Sequence, residues 1–68
     1  MIVKIHSMLY GYRKLRGEVR MRKGTPVLFV DEMGELSPLE FIKQAADFEQ
    51  ISDAEKRMLK KGGYRIRD

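Results

Sequence analysis

A chain of 68 residues with no cysteine and a single histidine, His6, has neither a disulfide nor a histidine/cysteine metal site to hold it together. Packing has to do it alone. A domain of this size buries only roughly 60 % of the surface its unfolded chain exposes, so good local propensity, tight packing or self-association must supply the rest, and a homodimer is one expected route. The same length leaves room for only one domain, 1–68.

The apolar residues then say which elements that domain contains. Val3, Ile5 and Leu9 alternate with Lys4 and His6, which predicts a half-buried first strand over Ile2 to Leu9. Leu15, Val19 and Met21 alternate with Arg16, Glu18, Arg20 and Arg22, a second strand over Leu15 to Lys23. Gly24-Thr25-Pro26 reads as a turn, and Val27-Leu28-Phe29-Val30 as a more buried third strand that ends over Asp31 to Gly34. Ser37-Pro38-Leu39-Glu40 is a capping box with proline at the first helical position, with Leu36 and Phe41 in the hydrophobic-staple register. A helix should start there and run to a break near Gln50 to Ser52, with Phe41, Ile42, Ala45 and Phe48 on its apolar side.

A second box, Ser52-Asp53-Ala54-Glu55, starts a second helix over Asp53 to Lys61, with Gly62 just past its end. Tyr64 and Ile66 alternate with Arg65 and Arg67; a fourth strand returning to the sheet and a frayed tail over 62–68 are both compatible with that segment. The expected fold is therefore α+β, a three-stranded antiparallel sheet packed by two short helices in the order β-β-β-α-α-(β). Met21 and Met58 fit core positions, with Met8 and Met33 as gap fillers.

Charge is segregated along the chain. Residues 1–30 carry seven Lys and Arg against Glu18, residues 31–55 carry eight acids against Lys43, and residues 56–68 carry six bases against Asp68. A basic, acidic, basic order can build a bipolar surface, or the blocks can neutralise one another. Lys4 and His6 interrupt the only N-terminal stretch of signal-peptide length, and no apolar run approaches the roughly 18 residues of a membrane span. These features predict a soluble, cytoplasmic protein with no membrane partner.

Catalytic chemistry finds little to work with. Val27-Leu28-Phe29-Val30-Asp31-Glu32 has the form of a Walker B strand, but no Gly-rich loop ending in Lys-Ser/Thr accompanies it. Asp31, Glu32 and Glu35 match no calcium-loop spacing and read as a solvated turn. His6 has no cysteine or second histidine to share a metal, and Ser37 and Ser52 are explained as caps. No nucleophile, base and orienting group can be assembled, so neither an enzyme nor a cofactor is expected.

The remaining constellation is basic and aromatic. Tyr10, Tyr12, Arg13, Lys14 and Arg16 interleave rings with cations, Arg20 and Arg22 continue along the outward side of the second strand, and Arg65 and Arg67 follow Tyr64. Rings stack on bases while cations neutralise phosphates, so such a sheet face suits a single nucleic-acid strand. Tyr10-Gly11-Tyr12 is similar to a fragment of the aromatic signature of RNA-recognition sheets, but the order of elements is not that fold's. The bland alternative is that the tyrosines cover the core at a turn and the arginines keep an exposed sheet solvated. Two functional expectations follow: a nucleic-acid-associated module using this face, and a protein-interaction module, such as a phage or mobile-element accessory protein or inhibitor, that offers a strand edge or its acidic segment to a host protein.

Overall fold

The computed structural model describes residues 1–7 and 11–67. Its elements are β1 (Ile2–Ser7), β2 (Gly11–Arg22), β3 (Thr25–Val30), β4 (Gly34–Leu36), α1 (Pro38–Lys43), β5 (Asp47–Glu49) and α2 (Asp53–Lys61). The strands form one antiparallel sheet in the order β4-β3-β2-β1-β5. The α+β fold with two helices on an antiparallel sheet is as expected; two of its five strands, β4 and β5, were not.

β2 is shared between two ladders. Residues 11–16 pair with β1 and residues 17–22 with β3, and Gly17 stands at the changeover. A Cβ there would come within 2.6 Å of the Val3 side chain, so only glycine lets the strands meet this closely. Alternation along the strands sends Val3, Ile5, Leu15, Leu28, Val30 and Leu36 to one face, where Phe41, Leu59 and Tyr64 complete the core.

The β2–β3 turn is one step earlier than its sequence suggests. Lys23 (φ 50°) and Gly24 (φ 81°) make a two-residue hairpin, the geometry whose twist matches the strands it joins, and Thr25-Pro26 already belongs to β3. Met21 lies near this hairpin and is 57 % exposed rather than in the core, while Met58 is also open to solvent and Met33 packs against the core. Met8 and Leu9 lie outside the described residues.

The first helix stops seven residues short of the expected break. The Ala45 N–H donates to the Ile42 carbonyl and the Ala46 N–H to the Phe41 carbonyl, with Ala45 at φ 48°, which is the Schellman arrangement that closes a helix. The chain then turns back as β5. Pairing explains why: β5 covers the outer edge of β1 over Ile2 to Lys4, and the Gln44 carbonyl accepts the His6 N–H at 3.0 Å, which leaves less open strand edge than a longer helix would. Phe48 still reaches the apolar side, now from a strand, stacked on Phe41 with ring centroids 4.8 Å apart. Only half of the first capping box forms: Ser37 Oγ accepts the Glu40 N–H at 3.1 Å, but the Glu40 carboxylate makes no reciprocal bond among the described residues.

The second helix spans Asp53–Lys61 as the sequence indicates, with both halves of its box present: Ser52 N–H to Glu55 Oε1 at 2.9 Å and Glu55 N–H to Ser52 Oγ at 3.1 Å. Its stop uses two glycines for two reasons. Gly63, at φ 92°, takes the left-handed position, while Gly62 is the last cap residue and lies so close to β3 that a Cβ would sit 2.4 Å from the Pro26 carbonyl oxygen. Residues 64–67 form neither a strand nor a loose end: Tyr64 is 4 % exposed and its ring meets Phe41 edge-on. Among the described residues no helix is long and apolar enough to cross a membrane.

Candidate nucleic-acid interface

The helices and Tyr64 occupy one face of the sheet, and α2 packs on β3 and β2. The opposite face is open, and strand alternation decides what stands on it. Tyr12, Lys14, Arg16, Glu18, Arg20 and Arg22 all project there from β2, each exposed. At about 3.3 Å per residue this row is roughly 30 Å long. Ile2, Lys4 and His6 of β1 and Val27 and Phe29 of β3 flank it in register. His6 stands opposite Tyr12, with ring centroids 5.0 Å apart in an edge-on pair, and the Arg20 guanidinium lies 3.6 Å over the Phe29 ring. Tyr12, 58 % exposed, does not cover the core.

Five of the nine residues singled out in the sequence therefore share this face: Tyr12, Lys14, Arg16, Arg20 and Arg22. Arg13 does not. It points to the other side of β2 and makes a bidentate pair with Glu32, at 2.9 and 3.0 Å. Arg65 and Arg67 instead line a cleft of about 60 Å³ beside α1, together with Phe41, Ile42, Ala45, Ala46 and Asp47. The ring that precedes them, Tyr64, is buried and cannot stack on a ligand. Tyr10 lies outside the described residues.

Topology also undoes the separation of charge along the chain. Both edge strands, β4 and β5, come from the acidic segment, so they bring Glu35 to one margin of the open face and Asp47 and Glu49 to the other. Lys4 and Lys14 are direct cross-strand neighbours, and Glu49 lies 3.7 and 3.3 Å from their ammonium groups. Without that carboxylate two like charges would face each other. Arg20 donates to Glu18 at 2.7 Å, and Arg22 pairs with Glu35 at 2.9 Å. Among the described residues Arg16 is the one cation on this face without an ion-pair partner. The face is an ion-pair lattice with the Tyr12 and His6 rings at one end; of the two outcomes the charge blocks allowed, neutralisation prevails here over a continuous cationic patch with acids held away from it.

Two sets of cations escaped the sequence reading. Lys4 joins the open face from β1, a position its alternation with Val3 and Ile5 already implied. Lys56, Arg57, Lys60 and Lys61 lie on α2 and were not among the residues singled out for binding; Lys60 and Lys61, in its last turn, suit the helix dipole. Among the described residues no group of three or more His, Cys, Asp or Glu side chains is placed to hold a metal ion. Comparison with protein families, with characterised proteins and with solved structures finds no match to this chain.

Proposed function

We propose that this protein is a non-enzymatic, nucleic-acid-associated binding module of the cytoplasm, with the open sheet face as its contact surface for single strands. One observation carries the reading: Tyr12, Lys14, Arg16, Arg20 and Arg22 project from a single strand onto a face that no helix covers. Exposed ion pairs contribute only about 0–1 kcal/mol each, so a phosphate can take the place of Glu18 or Glu35 beside an arginine at little cost. Tyr12 with His6 offers rings for a base at one end, and Arg16 offers an unpaired guanidinium at the centre.

Titration against labelled single- and double-stranded oligonucleotides over a range of salt tests this. Replacing Lys14 and Arg16 by Gln should flatten the single-strand salt slope by about two contacts, and Tyr12→Ala should cost about 1–3 kcal/mol of binding. Absence of binding at low salt would end the proposal.

A second reading has its own support. The carboxylates of Glu18, Glu35 and Glu49 make the same face mixed in charge, which suits a protein partner, such as a host protein bound by a phage or mobile-element accessory protein, better than it suits a polyanion. Association with one host protein that survives nuclease treatment and is lost when Arg20 and Glu35 are exchanged for alanine, with no oligonucleotide binding, is the result that favours it. Sedimentation at low concentration decides whether either surface is doubled in a homodimer; a single monomeric species rules the dimer out.

A further inference from the structure

We infer that α2 forms a second contact surface, on the opposite layer from the open sheet face, that holds the phosphate backbone of a nucleic-acid duplex. The inference rests on the proposed nucleic-acid function and adds where, and to what form, a second contact is made. Leu59 is the fully buried residue of α2 and fixes which side of the helix faces the sheet. At about 100° per residue, Arg57 and Lys61 stand roughly 160° and 200° round from it, with Lys60 and Lys56 at about 100° and 60° on one flank. Arg57, Lys60 and Lys61 are exposed and Lys56 is half-buried.

This surface differs from the sheet face in the property that matters to a polyanion. Residues 56–67 contain six bases and no acid, and among the described residues Lys56, Arg57 and Lys61 have no ion-pair partner. The nearby acids of the same helix sit in its first turn, where Glu55 is held in the cap by the Ser52 N–H. The tight approach of Gly62 to Pro26 also sets the end of the helix beside the β2–β3 hairpin, whose tip carries the exposed Lys23. Lys23 too has no ion-pair partner among the described residues.

The form of the ligand follows from what this surface lacks. No exposed ring stands on α2, and the only tyrosine near its end is buried. Unpaired bases would find nothing to stack on, whereas a duplex shows its phosphates outward and asks only for cations. An anionic membrane is less well served, because the apolar side of α2 is spent on the core.

The test uses the whole chain, a labelled duplex, a labelled single strand and vesicles containing an anionic phospholipid. Replacing Arg57 and Lys61 by Gln should weaken duplex binding and lower the duplex salt slope by about 1.8, so that between 50 and 200 mM salt the variant loses about 10-fold less duplex affinity than the wild type does. Single-strand binding, and its loss on replacing Lys14 and Arg16, should be unaffected; Arg57→Lys should keep the wild-type slope, and circular dichroism should show each variant folded. If the wild type binds duplex and the double variant binds it equally well, the α2 surface is overturned while the proposed function stands. If the wild type binds neither oligonucleotide, the proposed function fails first and the α2 surface with it. Vesicle binding that depends on Arg57 and Lys61, without duplex binding, assigns the surface to membranes and also overturns the inference.

Discussion

The phenol oxygen of Tyr64 accepts the backbone N–H of Leu28 at 3.0 Å, joining the C-terminal segment to the middle of β3 across 36 residues of chain. Leu28 stands at the end of the β3–β4 pairing, opposite Leu36. The same hydroxyl donates to the Leu36 carbonyl. One side chain thus bonds two buried backbone groups at the end of the β3–β4 ladder.

Tyr64→Phe should therefore cost about 1–3 kcal/mol in urea unfolding, since it leaves a buried donor and a buried acceptor unpaired while keeping the ring. Burial also raises the hydroxyl above the usual tyrosine value near 10, with the nearby Glu35 charge adding to it and the Leu28 hydrogen bond opposing it. A raised pKa means that the folded state holds the proton more tightly. Its contribution is complete below about pH 10 and is lost as pH climbs through the folded value. Stability should fall in that alkaline window, and less steeply in the phenylalanine variant; identical slopes would contradict the assignment.

Ala45 occupies a left-handed position that glycine takes at the equivalent place in the second helix, Gly63. Ala45 is exposed, so removing its methyl opens no cavity. Ala45→Gly should stabilise the protein by about 0.5–1 kcal/mol, and Gly63→Ala should destabilise it by a similar amount. Thermal unfolding of the two variants checks both signs.

Gly62 has an ordinary helical φ of −78°, so its importance is steric rather than conformational. A methyl group 2.4 Å from the Pro26 carbonyl meets rigid backbone on both sides. Gly62→Ala should cost about 1–3 kcal/mol and loosen α2 from β3, seen as faster amide exchange at the Leu59 turn. Unchanged exchange and stability would show that the two elements can part without cost.

Glu55 is held below the usual carboxylate range, chiefly by the hydrogen bond from the Ser52 N–H, against a smaller opposing effect of burial. A depressed pKa contributes stability that is present above the unfolded value near 4.3 and is lost as pH falls through the folded one. Glu55→Gln should flatten the acid limb of a stability profile, and Ser52→Ala should cost about 1 kcal/mol at neutral pH. A Gln variant with the wild-type acid limb would place the titration elsewhere.

Much of this architecture was legible in local chemistry. The alternation of β1 to β3, the cap at Ser37 and every residue of α2 from Asp53 to Lys61 follow from periods and capping groups that act within a few residues. The same alternation already put Arg16, Arg20 and Arg22 on one side of β2; carried back beyond Leu15, along the strand that in fact starts at Gly11, it puts Lys14 with them and Arg13 on the other.

The length of α1, the existence of β5 and the neutralisation of the open face were settled by contacts between distant segments. Phe48 satisfies the core equally well from a helix or from a strand, and only the open edge of β1 selects the strand. Glu35 and Glu49 belong to an acidic run in the chain, yet sheet order carries them to opposite margins of a basic strand. Spacing along a chain records which side of an element a residue takes; it carries no information about which element will lie beside it, because backbone pairing is chosen over the whole molecule.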